Sequence, residues 1–245
     1  MSLVDWPLIE RFRTISQVSI PHAAQSVLCA LGITVAVHGN IPSNGPILFI
    51  ANHGGGLDTV SLLNVIQRTD IYFVALASYR IYGKIIGTRL LPIYRKKMFR
   101  DYTLDILASG LQHHVQLSID DLRNQNRLSI NRAAQLVSKG AAVLIFPTGT
   151  AGKTPTTGTW KAGVGHLAQQ VTNPKARVVF IHISHGSFTD LLRYLTPALR
   201  RLFFKPKTVG VTFSKPFLLR ELIDRQHDGK TIALQLEEKY SAVFI

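Results

Sequence analysis

In Asn52-His53-Gly54-Gly55-Gly56-Leu57-Asp58 a histidine and an aspartate are separated by four residues, three of which are glycine. An imidazole can take a proton from a hydroxyl near neutral pH, and a carboxylate beside it fixes the tautomer and stabilises the imidazolium. Chain order alone does not establish that contact. Asp58 is also placed to cap a helix starting near Thr59, which would leave His53 an ordinary loop residue. Gly54, Gly55 and Gly56 leave backbone amides unshielded close to a helix start, where a developing oxyanion would be stabilised. A tight turn requiring positive φ would use the same residues.

The elements around this stretch follow from apolar periodicity. Ile47-Leu48-Phe49-Ile50-Ala51, bounded by Gly45-Pro46, reads as a buried strand that delivers His53 at its end. Further strands are predicted at 33–38, 71–76, 90–94, 141–146, 177–184 and 207–213, with the first buried strand spanning 46–51. Helices are predicted at 3–31 with an interruption near Pro21, and at 57–68, 79–87, 103–138 with breaks, 161–171, 188–204 and 229–242. Gly140 marks the C-terminal stop of the predicted 103–138 helix. The alternation predicts a single α/β domain with a mostly parallel central sheet covered by helices. In such sheets the ligand crevice lies outside the carboxyl ends of the strands. His53 and the Pro147–Lys153 loop each follow a strand, so both should emerge on that rim.

Composition narrows the partners. The 245 residues are 46% hydrophobic and 17% charged, with 28 Lys+Arg against 14 Asp+Glu, a net charge of +14. That balance favours anionic partners such as nucleic acid, anionic lipid or phosphorylated substrates. No helix-turn-helix, zinc-finger or RNA-stacking pattern is present, which places lipid ahead of nucleic acid. Arg95-Lys96-Lys97 with Arg100, and the mixed apolar and basic run from Leu191 to Lys205, suit an anionic membrane surface. A packed helix with a solvated basic edge is the plainer reading of the second. No apolar run reaches the length of a membrane span, so the chain reads as soluble or peripheral. The single Cys29 excludes an internal disulfide or a cysteine metal cluster and reads as a small buried residue.

Several patterns are decoys. Gly149-Thr150-Ala151-Gly152-Lys153-Thr154 resembles a phosphate-binding P-loop, but the first glycine of that pattern is Pro147, and Pro155 follows where a helix must begin. A Gly/Thr-rich loop with one lysine can still hold a phosphate through amides, hydroxyls and an ammonium. His182 with His185, and His113-His114, lack the third ligand of a catalytic zinc, so no metal is expected. No Gly-x-Ser-x-Gly nucleophile elbow occurs.

Taken together, four blocks in order carry a family resemblance. His53 with Asp58 resembles the His-x4-Asp motif of the PlsC-like glycerolipid acyltransferases, which include lysophosphatidic acid acyltransferases. Gly87 to Arg95, an apolar strand ending in arginine, resembles the second block. Phe146-Pro147-Thr148-Gly149-Thr150 resembles the Phe-Pro-Glu-Gly-Thr block, and Trp160-Lys161-Ala162-Gly163 through Leu167-Ala168 resembles the helix after it. Val35, Val37 and Gly39 with Ile41-Pro42 match the lead-in, so the resemblance spans about residues 33–219. The chain departs from the pattern at Thr148, which replaces the glutamate, at Ala151, which replaces an arginine, at Phe180, which replaces a proline, and at Gly55, where serine is frequent. The stretch from Arg95 to Phe146 is also longer than the family pattern.

The resemblance implies an acyltransferase domain over 33–245, preceded by a helical, membrane-contacting segment over 1–32. It implies transfer of a fatty acyl chain from a coenzyme A or acyl-carrier-protein thioester to a hydroxyl of a lysophospholipid or related lipid. His53 would be the general base and Asp58 its orienting partner, with Gly54, Gly55 and Gly56 as oxyanion donors. Arg95, Thr148, Gly149, Thr150 and Lys153 would hold the acceptor head group. No cofactor is implied beyond the thioester co-substrate, and the expected location is the cytoplasmic face of a membrane. The alternatives are an acceptor without glycerol phosphate, or a catalytically weak lipid- or acyl-binding member of the fold.

Overall fold

Every side chain of Ile47–Ala51 is buried, as a strand covered on both faces requires. In the computed structural model residues 5–94, 118–149 and 160–244 are described. The strands are β1 (Ile33–His38), β2 (Ile47–Ala51), β3 (Ile71–Leu76), β4 (Leu90–Ile93), β5 (Ala142–Ile145), β6 (Arg177–Ser184), β7 (Lys207–Phe213) and β8 (Phe217–Leu218). They form one sheet in the order β1-β7-β6-β2-β5-β3-β4, with β8 beside β6. All pairings are parallel except β6 with β7 and β6 with β8. The expected mostly parallel α/β sheet is therefore present.

The helices are α1 (Trp6–Ser16), α2 (Ile20–Ala30), α3 (Asp58–Val65), α4 (Lys84–Arg89), α5 (Ile119–Ser138), α6 (Ala162–Gln170), α7 (Pro197–Phe203), α8 (Leu219–Leu222) and α9 (Gly229–Phe244). On one face Phe12, Val27, Leu28 and Leu62 pack with Phe49, Phe73 and Ile181. On the other, Val137, Leu167, Leu236 and Tyr240 pack with Leu48, Ile50, Val143 and Phe180. The alternation of β2 side chains between these two clusters is the period of a strand read through both faces. Leu8, Phe12, Ala23 and Val27 belong to the same apolar cluster as the sheet, so α1 and α2 are built into its cover.

Local chemistry sets several ends. The first helical stretch breaks at Gln17–Ser19, near Pro21 as expected, because Ser19 accepts from the His22 N–H and proline is tolerated in a first helical turn. Segments 77–82 and 188–194, expected as parts of longer helices, are 3₁₀ turns. Cys29, expected buried, is exposed. His113-His114 and the 103–117 part of the long predicted helix lie outside the described residues, as do Arg95, Lys96, Lys97 and Arg100.

Two glycines in α6 test how closely the cover is fitted. A Cβ on Gly165 would meet the Gly229 carbonyl oxygen at 1.8 Å and the Ala233 nitrogen at 2.8 Å, backbone of α9 that cannot swing aside. A Cβ on Gly163 would meet the Ile130 side chain at 3.7 Å, an ordinary contact. Gly165→Ala should therefore lower the urea midpoint by the equivalent of about 1–3 kcal/mol through overpacking. Gly163→Ala should hold or raise the midpoint, by up to about 1 kcal/mol of helix propensity.

Candidate active site

β2 and β5 are parallel neighbours with Ile50 opposite Ile145, so the residues after each strand leave the sheet side by side. Asn52 governs how β2 ends. Its N–H donates to Ile181 O at 3.3 Å, its Oδ1 accepts from Ile183 N–H at 2.6 Å, and its Nδ2 donates to Ile183 O at 2.9 Å. The buried amide thus continues the ladder to β6 for one more step while the backbone turns away. His53 is held at that turn with its ring stacked on Phe146, centroids 4.5 Å apart and planes 28° from parallel.

His53 Nδ1 lies 2.9 Å from Asp58 Oδ2. A neutral imidazole facing a carboxylate places its proton on Nδ1 and leaves Nε2 as the nitrogen able to accept one. Asp58 is 1% exposed, and the same Oδ2 accepts from the Gly55 N–H at 2.8 Å. The capping alternative fails on geometry. α3 begins at Asp58 itself, its N-cap position is Leu57 without a side-chain bond, and the carboxylate turns back to Gly55 and His53.

The glycine run is already partly committed. Gly55 donates to Asp58, and Gly56 N–H donates to Ser187 O at 3.1 Å. Gly54 N–H has no partner among the described residues. Of the three amides expected to face an oxyanion, Gly54's is the one unspent in this arrangement.

Sequence reading did not single out Gly186, Ser187 or Asp190 in the segment after β6. Gly186 packs so closely on the pair that a Cβ there would lie 2.9 Å from Asp58 Oδ1. The segment is held by Asp190, whose Oδ2 accepts from Ser187 N–H at 2.9 Å and from Lys207 Nζ at 2.6 Å. Asp190 Oδ1 accepts from Arg193 Nε at 3.0 Å, and Lys207 Nζ also donates to His185 O at 2.8 Å. Arg193 reaches on to Leu31 O and Lys205 O. One signal was available: Asp190 is the lone carboxylate between Asp121 and Glu221.

The loop after β5 meets the site through Phe146. Thr148 is buried, and Gly149 takes φ +66° while its N–H donates to Phe146 O at 3.1 Å. Lys161 N–H donates to Pro147 O at 2.9 Å, tying the loop to the start of α6. Arg95, Thr150 and Lys153 lie outside the described residues. Among the described residues no cluster of His, Cys, Asp and Glu could hold a metal ion. His182 instead shares a 2.7 Å hydrogen bond with the Tyr240 hydroxyl, and burial pushes its ring below the ordinary histidine range.

A histidine–carboxylate pair on the carboxyl rim of a largely parallel sheet can move a proton to or from a hydroxyl, which hydrolases and transferases alike require. The chain belongs to the Acyltransferase family, whose model matches residues 33–184. Among solved structures it is similar to the 1-acyl-sn-glycerophosphate (LPA) acyltransferase PlsC from Thermotoga maritima. That similarity has 16% identity and a TM-score of 0.44, over 98% of this chain and 97% of that one. No curated protein sequence matches.

Gly55, where the family often has serine, has a structural cause. A Cβ there would meet Ser187 N at 2.7 Å and the Gly186 Cα and carbonyl carbon at 2.9 Å. Gly55→Ser, although it restores the commoner residue, should destabilise the fold by about 1–3 kcal/mol and lower transfer activity, measured by urea denaturation beside an acyl-transfer assay.

Proposed function

We propose that the protein transfers a fatty acyl chain from a coenzyme A or acyl-carrier-protein thioester to a hydroxyl of a lysophospholipid or related lipid. The observation that carries this reading is the 2.9 Å contact between His53 Nδ1 and the buried Asp58 carboxylate, in a chain of the Acyltransferase family. His53 Nε2 takes the proton of the acceptor hydroxyl as its oxygen attacks the thioester carbonyl carbon. Asp58 holds the ring and offsets the charge of the imidazolium. The tetrahedral intermediate collapses with loss of the thiolate, which is protonated by the imidazolium. The Gly54 amide is available to the oxyanion, and Arg95, Thr148, Gly149, Thr150 and Lys153 are the proposed head-group residues. Thr148 in place of the family glutamate favours an acceptor other than lysophosphatidic acid.

Attachment to the cytoplasmic face of a membrane is part of the same proposal. None of the described helices is long and apolar enough to cross a membrane. α7 buries none of its residues and presents Leu202 (74% exposed) and Phe203 (65% exposed) beside Arg201. This supports a peripheral contact combining apolar insertion with attraction to anionic lipid. Arg200 on the same helix is spent internally, donating to Arg193 O at 3.0 Å and to Asp5 Oδ2 at 3.2 Å.

Purified protein given acyl thioesters and a panel of lysolipids should yield acylated product by mass spectrometry. His53→Ala should lower turnover by roughly 10²–10⁴ in a protein that stays folded by circular dichroism, and Asp58→Asn should also impair it. Wild-type turnover in folded His53→Ala would remove the base assignment and favour a lipid-binding role. Separately, Arg201→Glu with Phe203→Ser should reduce sedimentation with anionic vesicles at unchanged thermal stability, and equal wild-type binding to neutral vesicles would refute the charge component.

A further inference from the structure

The two edges of the sheet are finished differently. On β4 the outward groups are blocked: Leu90 N–H donates to Ile86 O, and Pro92 has no N–H while its carbonyl accepts from Ser129 Oγ at 2.7 Å. Asn126 bonds both the N–H and the carbonyl of Tyr94, at 2.8 and 2.9 Å. These are the devices that stop a sheet from growing.

β1 has none of them. Gly32 O accepts from Lys207 N–H, so in this parallel ladder Gly32, Thr34, Ala36 and His38 face β7 and Ile33, Val35 and Val37 face outward. The outward N–H and carbonyl groups of Val35 and Val37 have no partner among the described residues. The strand carries no charge, proline or bulge, and Val37 is 42% exposed. A groove of about 300 Å³ runs beside it, lined by His22, Gln25, Val35, Val37, Asn64 and Gln67 among others.

The surroundings point to one kind of occupant. From Thr14 to Gln67 the only Asp, Glu, Lys or Arg is Asp58, which is buried, although the chain as a whole carries +14. An acidic partner would find no cation here, whereas a second copy would meet no like charge. Lipid is a poor fit, because hydrocarbon cannot satisfy unpaired N–H and carbonyl groups.

We propose that β1 is a homodimer interface, in which two copies pair their β1 strands antiparallel across a two-fold axis at Ala36 and make one continuous sheet. Val35 then lies opposite Val37 of the second copy, and each pair exchanges two backbone hydrogen bonds. Ile33 is buried, which confines the pairing to these two residues on each strand. Ala36 meets its own counterpart at a non-hydrogen-bonded position, where Cα atoms approach to about 4.5 Å.

The test uses the full chain. Sedimentation equilibrium should give twice the 27.2 kDa chain mass at tens of micromolar. Val37→Lys and Val37→Pro should each return it to one chain mass with unchanged circular dichroism, since neither the side chain nor the N–H of Val37 serves β7. With the exposed Cys29 replaced (Cys29→Ser), Ala36→Cys should form a linked dimer under mild oxidation. Thr34→Cys should not, because four residues of strand separate it from its own counterpart. Monomeric wild type at these concentrations overturns the proposal, as does a dimer that survives both Val37 variants, or equal cross-linking at 34 and 36. A monomer whose vesicle sedimentation falls with Val37→Lys would reassign the surface to lipid.

Discussion

A carboxylate with almost no exposure is costly unless its oxygens are bonded, and Asp58 is such a group. Much of the site is arranged around meeting that cost. Oδ2 takes one bond from a backbone amide and one from the imidazole, so the His53 ring is held by the same oxygen that the fold must satisfy. Residue 55 lacks a side chain because the backbone of Gly186 and Ser187 fills the space a Cβ would need. The histidine's orientation is thus a by-product of a solvation requirement, and disturbing either bond alters the other. Asn52 contributes from the opposite side, completing the sheet ladder with an amide so that the chain can turn one residue early.

The pair is also supported at a distance. The segment after β6 lies over Gly55 and is fixed by Asp190, whose buried carboxylate meets Lys207 and Arg193. Arg193 in turn bonds the carbonyl that ends α2 and one that precedes β7. Buried ion networks of this kind are costly to break at one member and favour a single arrangement of the chain. The rim of the sheet, the N-terminal helices and the β6–β7 connection are joined through one arginine.

What could be read from the sequence was what depends on local pattern. β3, β6 and β7 span the predicted 71–76, 177–184 and 207–213, because each is an apolar or alternating run bounded by turn residues. That the residues after β2 and β5 leave on the same rim followed from strand alternation, whereas the strand order that makes them neighbours did not. β8 has two residues and no period to detect. The break near Pro21 was legible because proline is tolerated in a first helical turn and marks where the second helix starts. The roles of Gly186, Ser187 and Asp190 were hidden because they are backbone approaches and long-range bonds between segments far apart in the chain. Arg200 and Arg201 are identical in type, and only tertiary contact separates an internal tether from a surface charge.

Gly55 is backed by the Gly186–Ser187 backbone, which fills the space its methyl group would need, while a methyl group on Gly186 would press first on the Asp58 carboxylate. A side chain at residue 55 requires the 186–187 backbone to move, and one at residue 186 requires the Asp58 carboxylate to move, so a change at either glycine is felt by the pair through the segment that covers it. What this rim tolerates is therefore set by the path of the segment after β6 as much as by the His53–Asp58 pair itself.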